Sequence, residues 1–195
     1  MKKALLLISI LMLSVFTTAC INNLAVQELN NKAAEYMKKG DYENAIGRLK
    51  SSADLDSSIF ETQYNLAVAY TENGDYTEAI NTFQKALELK PDSKDTYYAM
   101  AVMYENYARD LFAGETKEQQ EALKDSDDNQ LSSIDMAYVP DKNEIQDVKK
   151  YYEAAIEAYD TYLNLAGKSA DDAADVTAHV ENIKDTIATL DFDTN

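Results

Sequence analysis

Apolar residues recur at spacings of three and four along much of this chain, and they do so in paired stretches. Over 60–93 the first stripe is Leu66, Ala67 and Tyr70, and the second is Ile80, Phe83, Ala86 and Leu87. Such spacing gathers side chains on one face of an α-helix and leaves the opposite face polar. Between the stripes stand Asn73, Gly74 and Asp75, a helix stop followed by a restart, and Pro91, Asp92 and Ser93 end the pair. The pattern predicts a helical hairpin.

The hairpin is written more than once. "KKGDYENAIGRLK" from Lys38 and "ENGDYTEAINTFQ" from Glu72 lie 34 residues apart, and the register extends beyond them. Ala33 meets Ala67, Tyr36 meets Tyr70, Gly40 meets Gly74, Tyr42 meets Tyr76 and Ala45 meets Ala79. A fixed period of this length marks stacked repeats. A third unit opens on schedule with Tyr97, Met100, Ala101 and Tyr104, but its second stripe is deferred to "YYEAAIEAYDTYLNL" from Tyr151. There Ala155 and Tyr159 take the positions of Ala79 and Phe83. Further on, Ser169 and Asp172 offer a helix N-cap, and Val176, Val180, Ile183, Ile187 and Leu190 form one apolar stripe. This predicts a final amphipathic helix covering the open face of the last repeat.

In Phe60–Ser93, nine residues (Leu66, Ala67, Tyr70, Gly74, Tyr76, Ala79, Phe83, Ala86 and Pro91) stand where the signature residues of the tetratricopeptide repeat stand, so the chain resembles that family. The resemblance implies an all-α fold, a helical-hairpin solenoid with two full repeats, a third split by an insertion, and a C-terminal capping helix. The repeats are expected at 26–59, 60–93, and 94–107 plus 150–168, with the insertion at 108–149, the cap at 169–190 and a tail at 191–195. The first repeat departs from the pattern, with Lys32 at a usually apolar position and Ser52 where alanine is usual.

Tetratricopeptide arrays hold a peptide segment on the concave surface made by the first helix of each hairpin. The resemblance places Glu61, Tyr64, Val68 and Glu72 there from the second repeat, and Asp95, Tyr98, Val102 and Glu105 from the third. A tyrosine and valine strip edged with carboxylates suits a basic or amphipathic segment. The plainer reading, that Tyr and Glu are common in such repeats, stays open beside it. One subclass is excluded. Domains that clamp a C-terminal carboxylate use Lys, Arg and two Asn, and of the corresponding Asn30, Ala34, Asn65, Asp95 and Ala99 only Asn65 matches, while Asp95 reverses the charge.

The opening of the chain changes the picture. Lys2 and Lys3 precede an apolar run from Ala4 to Phe16, and Thr17, Thr18 and Ala19 lead to Cys20. The run is 13 residues, shorter than the roughly 20 that a bilayer-crossing helix needs, so it reads as a secretory signal over 1–19. Cys20 is the only cysteine. Its place resembles that of the acylated residue in a bacterial lipoprotein, which implies palmitate-type lipidation at Cys20, a short tether over 20–25 and an extracytoplasmic domain anchored to a membrane. Ile21 is not the Asp that retains such proteins at an inner membrane, which favours an outer membrane where the source has one. Ordinary secretion with cleavage at the same bond is the alternative, since Thr17 and Ala19 also satisfy the small-x-small rule.

The whole chain carries a net charge of −17, and loss of 1–19 removes two lysines and no acids. Nothing so acidic can assemble the basic groove that nucleic acid requires, and the domain should be repelled by an anionic lipid surface. Catalytic chemistry has little to build on. His179 is the only histidine, no second cysteine exists and no glycine-rich phosphate loop occurs, so no catalytic, cofactor or metal residue is nominated. In the insertion, Asp125, Asp127 and Asn129 alternate as in a calcium loop, but Gln130 and Met136 occupy the places of its Gly and its bidentate Glu. A short helix is expected at 116–124. The apolar residues Leu131, Ile134, Met136, Tyr138 and Val139 call for burial, either outside the repeats or across the groove.

The functional expectation is an envelope adaptor that recruits a partner protein through the repeat groove. Two rivals stay open. One is a small-ligand-binding lipoprotein of a solute-uptake system, its pocket closed over Tyr64, Tyr98 and Tyr138, and the other is a self-assembling structural lipoprotein. The sequence does not fix the oligomeric state.

Overall fold

The computed structural model describes residues 23–125, 138–167 and 171–192, and every regular element within them is an α-helix. These are α1 (23–37), α2 (Tyr42–Leu55), α3 (Phe60–Glu72), α4 (Tyr76–Leu89), α5 (Lys94–Ala113), α6 (Lys117–Asp125), α7 (Lys142–Ala166) and α8 (Ala173–Phe192). The fold class is that expected, all-α with helix pairs packed as in tetratricopeptide repeats. Among the described residues no helix is long and apolar enough to cross a membrane. The leader and Cys20 lie outside the described residues, and Asn23 to Ala25, read as tether, are already helical. The helices fall into two compact units, Met1–Asn73 and Gly74–Asn195.

In the first unit, Ala33 of α1, Ala45, Ile46 and Leu49 of α2, and Leu66 and Ala69 of α3 form one core, with Tyr36, Met37 and Tyr70 packed around it. Alanine at these positions lets the helices approach closely, and the larger side chains fill what remains. The two departures in the first repeat have separate physical reasons. Lys32 lies on an exposed face of α1, paired with Glu28 at 2.7 Å. Ser52 is fully buried and approaches the Thr62 hydroxyl at 3.4 Å, while the Asn30 amide donates to the same hydroxyl at 2.9 Å. A polar trio therefore links α1, α2 and α3 where alanine would have given only contact.

In the second unit, α4 packs on α5, α5 on α7 and α7 on α8. Phe83 and Met103 are wholly buried, with Ala79, Ala86 and Ala101 beside them in the core. The pairing of α5 with α7 is that of a hairpin whose two helices are separated in sequence. Both run further than their stripes suggest: α5 continues past 107 to Ala113 and α7 starts at Lys142, not at 150. Nothing between Ala108 and Ala113 breaks a helix, and Gly114, with φ at 72°, supplies the left-handed stop. At the other end Asp141 accepts from the Asn143 and Glu144 amides at 2.7 and 2.9 Å, and Glu144 accepts from the Asp141 amide at 2.8 Å. This is a complete capping box. The added turns bury Ala108 and Val148 and stack Tyr107 on Tyr151 with centroids 4.1 Å apart. Helix α8 presents Val176, Val180, Ile183 and Leu190 inward, Leu190 joining Ala108 and Val148. Its proposed cap Ser169 lies outside the described residues, and Asp172 accepts the first bond, from the Val176 amide at 2.9 Å.

The two described ends of the insertion are tied together. The Tyr138 ring lies against Gly114, where an added Cβ would come within 2.6 Å of it. Gln119 of α6 donates to the Tyr138 hydroxyl at 2.8 Å, to Glu144 at 3.1 Å and to the Leu111 carbonyl at 3.1 Å. Tyr138 in turn donates to Glu144. Lys117 forms an ion pair with Asp75, the N-cap residue of α4. Of the calcium-like series, Asp127, Asn129, Gln130 and Met136 lie outside the described residues, as do Leu131 and Ile134.

Candidate binding face

The eight residues nominated for the groove divide between the two units. On α3, Glu61 and Glu72 are exposed, and Tyr64 and Val68 are half-buried. Tyr64 stacks on Phe60 with centroids 6.0 Å apart. Glu72 lies beside the Tyr42 hydroxyl at the start of α2, and its charge pushes that phenol's ionisation up from the ordinary value. On α5, Asp95 is exposed, Tyr98 is 40 % exposed, and Val102 and Glu105 are half-buried.

The α5 set is embedded in a larger cluster that the sequence did not announce. Tyr98 meets Tyr159 and Tyr162 of α7 edge-on, with centroids 5.6 and 5.2 Å apart and ring planes at 76° and 66°. Such T-shaped pairs bring the positive edge of one ring to the negative face of another. Tyr162 donates its hydroxyl to Asp172 at 2.5 Å, and this carboxylate, with burial second, pushes the phenol up to about 12. Tyr159, buried, donates to Glu105 at 3.3 Å, and burial followed by the Glu105 charge holds its proton well above the usual range. His179 of α8 contacts the same Glu105 oxygen through Nε2 at 2.8 Å, its ring standing at 87° to Tyr159.

Tyr98 is thus the exposed ring of a cluster whose buried members, Tyr162 and Tyr159, turn their hydroxyls to Asp172 and Glu105, while Lys94 and Asp95 are exposed one turn before it on α5. Spacing alone put Asp95, Tyr98, Val102 and Glu105 on one face. It carried no sign that Tyr159, Tyr162, Asp172 and His179 would meet them, because those contacts depend on how α7 and α8 pack. The 34-residue register did place Tyr159 as the counterpart of Phe83, and a hydroxyl in place of a ring hydrogen was the available hint.

Tyr138 is not part of this surface. It sits on Gly114, 16 residues beyond Tyr98 on the same helix, a rise of roughly 24 Å. A pocket closed over Tyr98 and Tyr138 together is therefore incompatible with the geometry. A different concavity does exist, a cleft of about 640 Å³ between the end of α7 and the first turns of α8, lined by Leu163, Ala174, Thr177, Ala178 and Glu181 among others. Among the described residues no group of three or more His, Cys, Asp or Glu side chains is placed to hold a metal ion.

The family model described as "TPR repeat" matches residues 69–106, which span the end of α3, all of α4 and most of α5. No curated protein matches. Among solved structures, the chain is similar to the first TPR of Spaghetti (RPAP3) bound to the HSP90 peptide SRMEEVD, at 18% identity, 85% of this chain and 94% of that one covered, and a TM-score of 0.47. It is similar to the MamA RS-1 ArsTM double mutant at 16% identity, with 83% and 96% covered and a TM-score of 0.39. A putative protein binding protein from Bacteroides ovatus gives 18% identity, 83% and 98% covered and a TM-score of 0.22. The chain carries a tetratricopeptide repeat over 69–106, within an all-α fold of packed helix pairs.

Proposed function

We propose that this protein is a lipid-anchored, extracytoplasmic adaptor that recruits another envelope protein by binding a segment of it on the first-helix face of its repeats. The observation that carries the reading is Tyr98: a large aromatic side chain left 40 % exposed on the nominated face of α5, while Tyr104 and Tyr107 of the same helix stack on Tyr151 of α7. Rigid aromatics with apolar bodies and polar rims are the residues that dominate protein interfaces. Val102 continues the strip, and Asp95 gives it a charged edge. The anchoring half of the proposal rests on Cys20 and the segment before it, and the excess of acidic over basic side chains, which loss of Lys2 and Lys3 would deepen, would hold the tethered domain off an anionic bilayer.

The test is photo-crosslinking in cells from position 98, with Tyr98 replaced by a photoreactive phenylalanine. A dominant adduct to one foreign protein supports the adaptor, whereas adducts within its own chain alone would sink it. For the anchor, wild type should take up labelled palmitate and stay with membranes, while Cys20→Ser should do neither. A second reading, small-ligand binding, is favoured by the cleft between α7 and α8. It requires a ligand that raises the melting temperature and loses that effect on Ala178→Phe.

A further inference from the structure

Helices α2, α4 and α7 each open on an aspartate at the N-cap, Asp41, Asp75 and Asp141. Two of these carboxylates cap their own helix. Asp41 accepts from the Asn44 amide at 3.3 Å, and Asp141 accepts from the Asn143 and Glu144 amides at 2.7 and 2.9 Å. Asp75 makes no side-chain bond to the first turn of α4. Its carboxylate is paired instead with Lys117 at the start of α6.

Neither the local sequence nor the backbone accounts for this difference. Asp75 with Glu78 three residues on repeats the pattern of Asp141 with Glu144, which forms a complete capping box. The backbone at Asp75, φ −88° and ψ 66°, nearly matches that at Asp41, φ −91° and ψ 69°, where the side chain does cap. At Asp75 the difference is Lys117, whose side chain also lies along the preceding turn, its Cε 3.9 Å from where a Cβ on Gly74 would stand. The pair is partly exposed, with 47% of the Lys117 side chain and 23% of the Asp75 side chain accessible. An ion pair in such a setting and an aspartate cap stabilise by similar amounts, so the carboxylate has two partners of comparable strength.

We infer that Asp75 is the exchange point of a two-state fastening between the insertion and the second hairpin. In one state its carboxylate holds Lys117 and draws the first turn of α6 against the Gly74 turn. In the other, Lys117 is drawn away and the carboxylate returns to the first-turn amides of α4. Gln119 keeps the root of α6 attached in both states through its bonds to the Leu111 carbonyl, Tyr138 and Glu144. The exchange therefore unfolds neither element. An anionic group that engages Lys117 tightens the start of α4, so an event at the insertion is felt in the repeat.

The test is amide hydrogen exchange of the mature protein, followed residue by residue by NMR. Lys117→Gln should slow exchange of the Glu78 amide roughly fivefold, because the Asp75 carboxylate then receives that N–H. Asp75→Asn should slow it too, since asparagine caps as well as aspartate but carries no charge to hold Lys117. Asp75→Ala can do neither and should bring no slowing, alone or together with Lys117→Gln. Added salt, from about 50 mM to about 0.5 M, should move the wild type toward the Lys117→Gln rate and leave that variant unchanged. Lys85→Gln removes one positive charge from an exposed site on α4 and should leave the Glu78 amide as it is. Unchanged or faster exchange at Glu78 in Lys117→Gln would overturn the inference, because the lysine pair would then not compete with the cap. Equal slowing in Lys85→Gln would overturn it as well, since the effect would then belong to net charge and not to the exchange at Asp75.

Discussion

At the scale of single residues, Gly114 and Gly40 make a controlled pair. Both hold φ at 72°, a conformation in which a side chain costs about 1–2 kcal/mol, but only Gly114 faces a ring. Gly40→Ala should lose only that backbone cost in urea unfolding. Gly114→Ala should lose more, because its new methyl group would overlap Tyr138, and the excess should vanish in the double variant with Tyr138→Ala. The buried trio gives a second case. Thr62→Val keeps the shape but strips the hydroxyl that receives the Asn30 amide and approaches Ser52, so about 1–3 kcal/mol should be lost. If Ser52→Ala, in the same assay, recovers part of the loss, the cost lies in stranded polar groups and not in shape.

At the scale of elements, α7 depends on how it starts. Asp141→Ala removes both capping bonds and should cost about 1 kcal/mol, with faster amide exchange confined to its first turn. The stripes and the 34-residue register made the helices and their pairing legible in advance, including α5 with a distant α7 and the stripe of α8. The ends of elements were less legible. Asp141 with Glu144 three residues later, following Pro140, was a readable start signal, but it lies outside the repeat register and the register dominated the reading. The overrun of α5 had no positive signal at all, only the want of a breaker before Gly114. Of the candidate face, helical spacing put each set on α3 and α5 on one side of its helix and the family resemblance chose that side, while the contacts of α5 with α7 and α8 could not be read, because no local pattern encodes which hydroxyl meets which carboxylate.

At the scale of the whole molecule, its 14 tyrosines make alkali a sensitive probe. The Asp172 bond and burial hold Tyr162 protonated up to about 12 in the folded protein, against roughly 10 in an unfolded chain. Between those values the folded state binds the proton more tightly, so stability is intact below about pH 10 and falls as the pH rises toward 12. Urea titrations at pH 9 and 11 should show a smaller loss for Asp172→Asn than for wild type. Equal losses would mean that the Asp172 bond does not set the alkaline limit. The charge of −17 acts at this scale too, since self-repulsion keeps like molecules apart and the field raises the local concentration of cations.

The knot of Gly114, Gln119, Tyr138 and Glu144 has a consequence for how such a chain can change over time. Because the two ends of the insertion are fastened to each other and to the root of the third hairpin, the stretch between Gln119 and Tyr138 begins and ends at one anchored place. Lengthening a stretch of chain whose ends are already joined adds closure entropy only logarithmically, about 0.6 kcal/mol per doubling. Residues inserted between Gln119 and Tyr138 should therefore cost little stability in urea unfolding, whereas the same insertion within α5 or α7 should cost several times more.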